Sequence, residues 1–211
     1  MPRPRAYATD EIVRAARDLF WERGYEATSM ADLEQRTGLN RSSIYQAFGS
    51  KRGLFDETLR HYLREVAEPR LTGLDRAGAG LPEIVDYLRA LGDVLAGHPG
   101  LARNGCLMVN SVAELSTRDD GIRDIGLAYR ERIAAALARA LRTAGQGGQI
   151  PPTTVEARGR LLTATVIGVL LTARLSPAEA GRTAHAAADE VDGWRGPGLS
   201  EGGPVRPAGS R

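Results

Sequence analysis

Apolar residues recur along most of the chain at the three- and four-residue spacing that is typical of amphipathic helices. The first run consists of Ile12, Ala15, Ala16, Leu19 and Phe20. Thr9 is a suitable N-cap for this helix, and Gly24 is expected to end it. No regular alternation of apolar and polar residues predicts a strand. The pattern therefore indicates an all-α protein.

Two short helices are predicted after the first one. Ser29 and Asn40 are N-cap residues for helices over about residues 30–36 and 41–48. The turn between them has three residues and contains Gly38. A turn of this length with a glycine sets two helices at a steep angle, which is the geometry of a helix-turn-helix.

Longer helices are predicted further along the chain. Ser50 begins one that we expect Pro69 to end, since proline interrupts helical hydrogen bonding. The later apolar stripes predict helices over about residues 81–95, 104–115, 122–141, 161–175 and 180–191. Residues 193–211 are rich in glycine and proline and are predicted to be a disordered tail.

The net charge of +2, from 28 basic and 26 acidic residues, does not by itself indicate a nucleic acid as a partner. The distribution is uneven, because no acidic residue lies between Glu34 and Asp56. That window contains Arg36, Arg41, Lys51 and Arg52. Ser50 and Lys51, the only lysine of the chain, begin a helix whose amides, dipole and ammonium group can together hold a phosphate oxygen.

The second short helix carries side chains suited to the major groove of DNA. Its first turn presents Arg41, Ser42 and Ser43, a forked hydrogen-bond donor and two small hydroxyls. Tyr45 and Gln46 can reach a phosphate and a base edge, respectively. The pattern favours DNA binding, and the alternative is an ordinary helical corner with a solvated basic face.

These motifs resemble the headpiece of the TetR (tetracycline-repressor-like) transcriptional regulators. The resemblance is carried by the sequence FWERGYEATSM over residues 20–30 and by TGLNRSSIYQAFGSK over residues 37–51. It is specific over about residues 10–56. The chain departs from the family at Gln46 and Ala47, where many members carry histidine or aromatic residues.

The resemblance implies an all-helical homodimer of about nine helices, with a helix-turn-helix head in residues 1–52 and an effector-binding and dimerisation body in residues 53–192. By family position, the phosphate contacts would come from Thr28, Ser29, Tyr45 and Lys51. The base contacts would come from Arg41, Ser42, Ser43 and Gln46. The body of such a protein binds a small ligand and dimerises through its last two long helices.

The last two predicted helices also fit a dimer seam on their own residues. The stretch from Leu161 to Leu175 is apolar on nearly every side and must therefore bury both of its faces. The next helix has regularly spaced alanines, which allow another helix to approach closely. The predicted seam consists of Leu162, Val166, Val169, Ala180, Ala184 and Ala187. The alternative is that both helices are internal core helices.

An effector pocket is predicted between the fourth and seventh helices, because aromatic, methionine and a few polar side chains there suit a small-molecule site. Its candidate residues are Tyr62, Tyr87, Cys106, Met108, Asn110 and Tyr129. Cys106 is expected in the first turn of a helix that begins near Asn104, where the helix dipole stabilises a thiolate. Some TetR-like sensors of electrophiles or oxidants are similar in carrying a Gly-Cys-Leu segment here. Cys106 is therefore either a sensor or a packed core residue.

Other function classes lack their sequence signatures. No Gly-x-Ser-x-Gly elbow, phosphate-binding loop, dinucleotide-binding glycine motif or His-Glu metal motif occurs, so no catalytic residue, cofactor or metal site is predicted. A thiol hydrolase that pairs Cys106 with His98 lacks a recognisable orienting group. The longest apolar stretch is shorter than the roughly 20 residues of a membrane span. No secretory signal is recognisable, and a cytoplasmic location is expected.

We therefore expect an effector-responsive transcriptional regulator, a repressor that binds palindromic operator DNA as a dimer. A small ligand or the modification of Cys106 would release it from DNA. The expected partners are double-stranded operator DNA, an unknown small-molecule effector and a second copy of the chain, with no membrane. A constitutive DNA-binding protein without an effector remains the main alternative.

Overall fold

The computed structural model describes residues 4–97 and 104–195, with side chains from residue 9 onward, and these ranges contain helices but no strand. The predicted all-α fold is confirmed. If the unbroken helical run that begins at Lys51 is counted once, the described α-helices number nine, and a 3-10 turn, Pro152–Thr154, precedes the eighth. They are α1 (Pro4–Arg23), α2 (Met30–Thr37), α3 (Arg41–Phe48), α4 (Lys51–Tyr62, extended by a π-helical turn Leu63–Ala67 and a last turn Glu68–Leu71), α5 (Leu81–Gly97), α6 (Leu107–Leu115), α7 (Asp120–Gln146), α8 (Val155–Leu175) and α9 (Pro177–Asp192).

The caps predicted for the two short helices form in the structure. The Ser29 hydroxyl accepts the N–H of Asp32 at 3.1 Å, and the Asp32 carboxylate accepts the N–H of Ser29 at 2.9 Å, which is a capping box. At the start of α3, the side chain of Asn40 accepts the N–H of Ser43 at 2.8 Å. Both helices therefore begin where their polar cap residues predict.

Pro69 was predicted to end helix α4. In the structure the helix continues through this proline. A proline inside a regular α-helix clashes with the carbonyl group four residues earlier. In α4 the turn Leu63–Ala67 is π-helical, and the N–H of Glu68 donates to the carbonyl of Leu63, five residues earlier. The wider turn accommodates the proline without interrupting the helix.

One continuous core runs from the three-helix head into the body. In the head, α1 packs against α4, and Phe20 lies edge-on to Phe55 with the ring centroids 5.0 Å apart. Leu33 of α2 and Ile44 of α3 are fully buried in the same core. The predicted domain division after residue 52 falls in the first turn of α4, a helix that contacts both α1 and α6.

Helix α9 packs on α5 inside the same subunit. Gly92 and Gly181 lie at this contact, where a Cβ atom built on Gly181 would lie 3.2 Å from the Gly92 carbonyl oxygen. The residues of the predicted seam are buried in the protomer or, for the last one, half-buried: Leu162, Val166, Val169, Ala180, Ala184 and Ala187. The structure corrects the predicted face, because these side chains fill the core of their own subunit. The large apolar side chains that α8 exposes are Leu161, Leu171 and Leu175.

Two helix starts also differ from the prediction. Helix α1 begins at Pro4 and not after Thr9, since proline is tolerated in the first turn of a helix. Helix α6 begins at Leu107, three residues later than predicted, because Gly105 has a left-handed φ of +62° and Cys106 is extended. Cys106 therefore precedes the helix and does not lie in its first turn.

Some predictions fall outside the described residues. The predicted disordered tail is described only as far as residue 195, where the chain forms a turn after α9. His98, the partner in the hydrolase alternative, also lies outside them. Between residues 4 and 97 and between 104 and 195, no helix combines the length and the hydropathy that a membrane span requires.

Candidate nucleic-acid interface

The outward face of α3 is formed by polar side chains at adjacent positions of the helix. Arg41, Ser42, Tyr45 and Gln46 are exposed, whereas Ile44 on the opposite face is fully buried. Positions i, i+1, i+4 and i+5 lie on one side of an α-helix, so the four side chains form one surface. The surface combines a guanidinium, a hydroxyl, a phenol and an amide, which are groups that contact phosphates and base edges in the major groove.

Local contacts fix the start of α3. The Arg41 guanidinium lies over the ring of Tyr45, with Cζ 5.5 Å from the ring centroid. The backbone N–H of Arg41 donates to the carboxylate of Glu34 on α2. Gly38 closes the turn between the helices with a left-handed φ of +71°, and its N–H donates to the Glu34 carbonyl at 2.9 Å. Ser43, the remaining predicted base contact, is half-buried.

Lys51 lies at the start of α4, beside an aromatic ring. Its Nζ is 4.3 Å from the ring centroid of Tyr25, a residue that sequence reasoning did not single out. Ser50 caps the helix and accepts the N–H of Gly53 at 2.9 Å. A Cβ atom on Gly53 would overlap the carbonyl oxygen of Phe48, so the close turn between α3 and α4 requires glycine there. Tyr25 lies within the FWERGYEATSM motif, but the motif does not indicate its contact with Lys51, and Gly53 lies outside both quoted motifs.

The start of α2 presents only one of its two predicted phosphate contacts. Ser29 is exposed, and its hydroxyl donates to the Asp32 carboxylate at 2.5 Å. The hydrogen bonds from Ser29 hold the pKa of Asp32 low, at about 2. Thr28 is fully buried, and its hydroxyl donates to the carbonyl of Gly24 at 2.6 Å. The prediction for Thr28 is corrected, because this side chain stabilises the turn and does not face outward.

The body contacts the head at the turn between α1 and α2. The carboxylate of Glu114, on α6, accepts the backbone N–H groups of Tyr25 and Glu26 at 3.0 and 2.8 Å. Gly24 permits this approach, because its φ is +88° and a Cβ atom there would lie 2.8 Å from Glu114 Oε2. The turn is therefore bound by a side chain from the body.

Two further contacts join the head to the segment around α6. The indole N–H of Trp21 donates to the carbonyls of Asn104 and Gly105, at 3.0 and 3.2 Å. Arg52, next to Lys51, forms an ion pair with Asp119, the N-cap of α7. The body and the head are thus joined by the continuous helix α4 and also by these hydrogen bonds and this ion pair.

Three of the six predicted effector residues meet in the core. The hydroxyl of Tyr62 donates to Cys106 Sγ at 3.3 Å, and Cys106 Sγ lies 3.9 Å from the hydroxyl of Tyr129. All three side chains are buried. Burial, reinforced by the neighbouring thiol, raises the pKa values of Tyr62 and Tyr129 well above the usual tyrosine value. The thiol is therefore enclosed by phenols and shielded from solvent.

The other three predicted effector residues are not among the hydrogen-bonding side chains of this cluster, although Tyr87 interacts electrostatically with Cys106 and Tyr129. The buried side chain of Asn110 donates to the Asn104 carbonyl at 2.6 Å and so fixes the start of α6. Met108 lines a groove of about 540 Å³ between α6, α7 and α8, together with Tyr129. Tyr87 lines a separate cavity of about 90 Å³. Neither of these two spaces is lined by the remaining predicted residues.

Two protein-family models match this chain, one over the head and one over the body. The family model described as "Bacterial regulatory proteins, tetR family" matches residues 12–58. The model described as "Tetracyclin repressor-like, C-terminal domain" matches residues 80–188, which is more than half of the chain. The chain belongs to the TetR family. TetR proteins are transcriptional regulators and not enzymes.

Two curated TetR relatives come from Escherichia coli strain K12. The chain is 33% identical to the HTH-type transcriptional repressor BdcR over 128 residues, which are 60% of this chain and 62% of BdcR. It is 32% identical to the HTH-type transcriptional repressor ComR over 154 residues, which are 71% of each chain. The match therefore spans less than two thirds of the length of BdcR and slightly more than two thirds of the length of ComR.

Solved TetR structures share the fold. A cysteine mutant of the TetR family transcriptional regulator CifR, complexed with 26-base-pair double-strand operator DNA, matches with a TM-score of 0.71 at 27% identity, covering 86% of this chain and 93% of that chain. The TetR-family regulator SCO4454 from Streptomyces coelicolor matches in fold, with a TM-score of 0.75 at 19% identity over 88% and 94% of the chains. The protein is thus a transcriptional regulator of the TetR type.

Proposed function

We propose that this TetR regulator is a repressor that binds palindromic operator DNA as a homodimer and leaves it when a small ligand binds or when Cys106 is modified. The observation that carries the proposal is the exposed face of α3, where Arg41, Ser42, Tyr45 and Gln46 lie side by side. The repressor role is supported by BdcR and ComR, since both of these relatives are named repressors.

The proposed roles at the interface follow from reach and chemistry. The phosphate-facing residues are Ser29, Tyr45 and Lys51. The base-facing residues are Arg41, Ser42, Ser43 and Gln46. A forked guanidinium pairs well with the acceptors of guanine, and an amide pairs with adenine, whereas the small serines let the helix backbone approach the groove. Lys51 adds a point charge that attracts the DNA backbone.

The dimer is proposed to form through the outward face of α8, supported by α7. The exposed residues of this face are Leu127 on α7 and Leu161, Ala164, Gly168, Leu171 and Leu175 on α8. The three- and four-residue spacing, with leucines at the ends and small residues in the middle, suits two helices that cross closely. A two-fold dimer would present its two α3 helices to successive major grooves of a palindrome.

Release is proposed to act through the contact between Cys106 and Tyr62. With hydrogen peroxide, the sulfur of Cys106 attacks one peroxide oxygen and the O–O bond breaks. The sulfur becomes a sulfenic acid, and the other oxygen leaves as hydroxide, which takes up the thiol proton and forms water. The extra oxygen does not fit a packed core, so Tyr62 and α4 move and the two heads lose the spacing of the operator. A ligand that separates α4 from α6 would act in the same way.

The first experiment identifies the operator by sequencing the DNA fragments that the purified protein retains from a random library. We expect palindromes whose half-site centres lie about 10 base pairs apart, or a multiple of that distance. Selection of fragments without any half-site symmetry would contradict the dimeric mode of binding.

Peroxide is then added to the operator complexes of the wild type and of Cys106→Ser. Release of the wild type alone, reversed by a reductant, would support the cysteine switch. Equal release of both proteins would reject it and leave a reversible ligand. A thermal-shift screen against small molecules would test that ligand, because binding raises the apparent stability of the folded state. A protein that responds to neither treatment would be the constitutive DNA-binding alternative.

A further inference from the structure

We propose that Tyr25 is a positioning residue for the phosphate contact of Lys51, and that Glu114 of the body holds Tyr25 in that role. The inference rests on the proposed contact between Lys51 and DNA. It extends the DNA interface from the surface of the head to helix α6 of the body. The two steps are the cation–π contact between Lys51 and Tyr25 and the hydrogen bonds between Glu114 and the turn.

The first step is the contact between Lys51 and the ring. A lysine side chain is flexible and loses conformational entropy when it is fixed in one geometry. The Lys51 ammonium lies 4.3 Å from the centre of the Tyr25 ring, and the negative face of an aromatic ring attracts a cation. Lys51 has no ion-pair partner among the residues that the structure describes. The ring therefore restrains the ammonium and leaves its N–H donors available for a phosphate.

The ring is itself held by the core of the head. Tyr25 stacks on Phe20 with the centroids 6.0 Å apart and lies 4.8 Å from the centroid of Phe55. Both phenylalanines are almost completely buried. The orientation of the Tyr25 ring consequently depends on the packing of α1 against α4 and on the path of the backbone between α1 and α2.

The second step is the hold of Glu114 on that backbone. Its carboxylate accepts the N–H groups of Tyr25 and Glu26, and hydrogen bonds to a charged acceptor are stronger than neutral ones. Gly24 leaves the space for the carboxylate. A negative charge near a DNA-binding surface repels phosphates and would by itself lower affinity. The Glu114 carboxylate is explained here by its hydrogen bonds, which fix the position of the turn between α1 and α2.

The test of the first step is a double-mutant cycle on operator DNA. Tyr25→Leu removes the aromatic face and should weaken binding by about 2- to 5-fold. Tyr25→Phe keeps the face and should bind like the wild type. In a Lys51→Ala background, Tyr25→Leu should cause no further loss, because the side chain that it positions is gone. An equal loss in both backgrounds would mean that Tyr25 only stabilises the head, and would overturn the proposal.

The test of the second step does not disturb the aromatic core. Glu114→Ala leaves two N–H groups unpaired and should weaken operator binding several-fold, although it removes a negative charge. Glu131→Ala is the matched control, since Glu131 is exposed on α7 and has no ion-pair partner among the described residues; it should leave affinity unchanged or slightly higher. Operator binding by Glu114→Ala that is as tight as that of the control would overturn the role of Glu114.

The salt dependence separates a failure of this proposal from a failure of the proposed DNA contact. Lys51→Ala should lower the slope of log affinity against log salt concentration by about 1. If that slope does not change, Lys51 does not contact a phosphate and the proposed interface fails. If the slope falls but the Tyr25 and Glu114 variants bind like the wild type, the interface stands and the positioning by Tyr25 and Glu114 is rejected.

Discussion

In the proposed interface, Lys51 and Gln46 make contacts of two different kinds. Lys51→Ala should weaken binding to operator and to random DNA by similar factors, because an ammonium neutralises backbone charge whatever the sequence. Gln46→Ala should cost about 1–3 kcal/mol at one base pair of each half-site and leave random DNA unaffected. Titrations with operator, single-base variants and scrambled DNA measure both effects. Equal losses on every sequence from both variants would contradict this division of roles.

The single residues that sequence reasoning located are those whose partners are local. Ser29, Asn40 and Ser50 cap helices through groups three residues away, so their type and position were sufficient. Tyr25 and Glu114 were missed, because the first contacts a lysine on α4 and the second contacts a turn far away in sequence. Such contacts depend on helix packing, which a periodic pattern does not determine.

The pairing of α1 with α4 contains a buried histidine whose surroundings make the packing sensitive to pH. Nδ1 of His61 lies 3.3 Å from the guanidinium of Arg17, and Nε2 lies 3.5 Å from the carboxylate of Asp10. Burial lowers the pKa of His61, the positive charge of Arg17 lowers it further, and Asp10 opposes the shift in part. The folded protein therefore keeps this imidazole neutral to a lower pH than the unfolded chain does.

The free energy of unfolding should consequently decrease as the pH falls below about 6.5, where the unfolded chain protonates His61 first. The loss continues until the pH reaches the lower pKa of the folded state. Urea unfolding between pH 7.5 and 5 measures this dependence. His61→Gln should reduce the slope of the free energy of unfolding against pH. Equal slopes for the wild type and His61→Gln would contradict the assignment.

The order of the helices was predictable from the sequence, whereas some of their ends and contacts were not. Pro69 indicated the end of α4, but the π-helical turn before it removes the clash on which that rule depends. The alanine spacing of α9 fits a partner helix from either the same or another subunit. Gly92 on α5 favours the same subunit, because it lets the backbone of α9 approach at Gly181.

The proposed dimer assigns different roles to the two faces of α8. Leu171→Glu should give a folded monomer, because the exposed position tolerates a charge in the subunit while an apolar seam does not. Val169→Glu should unfold the subunit, since Val169 is buried in the protomer core. Sedimentation velocity measures the first effect and thermal melting the second. A dimer of unchanged stability for Leu171→Glu would reject the proposed seam.

For the whole molecule, the head motif was sufficient to predict the fold through its resemblance to the TetR family, because the residues that carry the resemblance lie within one short stretch of sequence. Which face of α8 is buried within the subunit was not predictable. A helix that is apolar on nearly every side indicates that both faces are covered, but its periodicity does not say which face belongs to the subunit. That distinction depends on α7 and α9, which together bury Val166 and Val169.

Lys51 is the only lysine of the chain, and this has a practical consequence for handling the protein. Reagents that acylate amines have a single side-chain target, which lies in the proposed DNA surface. Immobilisation through lysine on a sensor chip would therefore tether the protein by the group that should remain free, and would make an active preparation look inert. The same chemistry, followed by mass spectrometry with and without operator, would act as a footprint in which one modified residue reports occupancy.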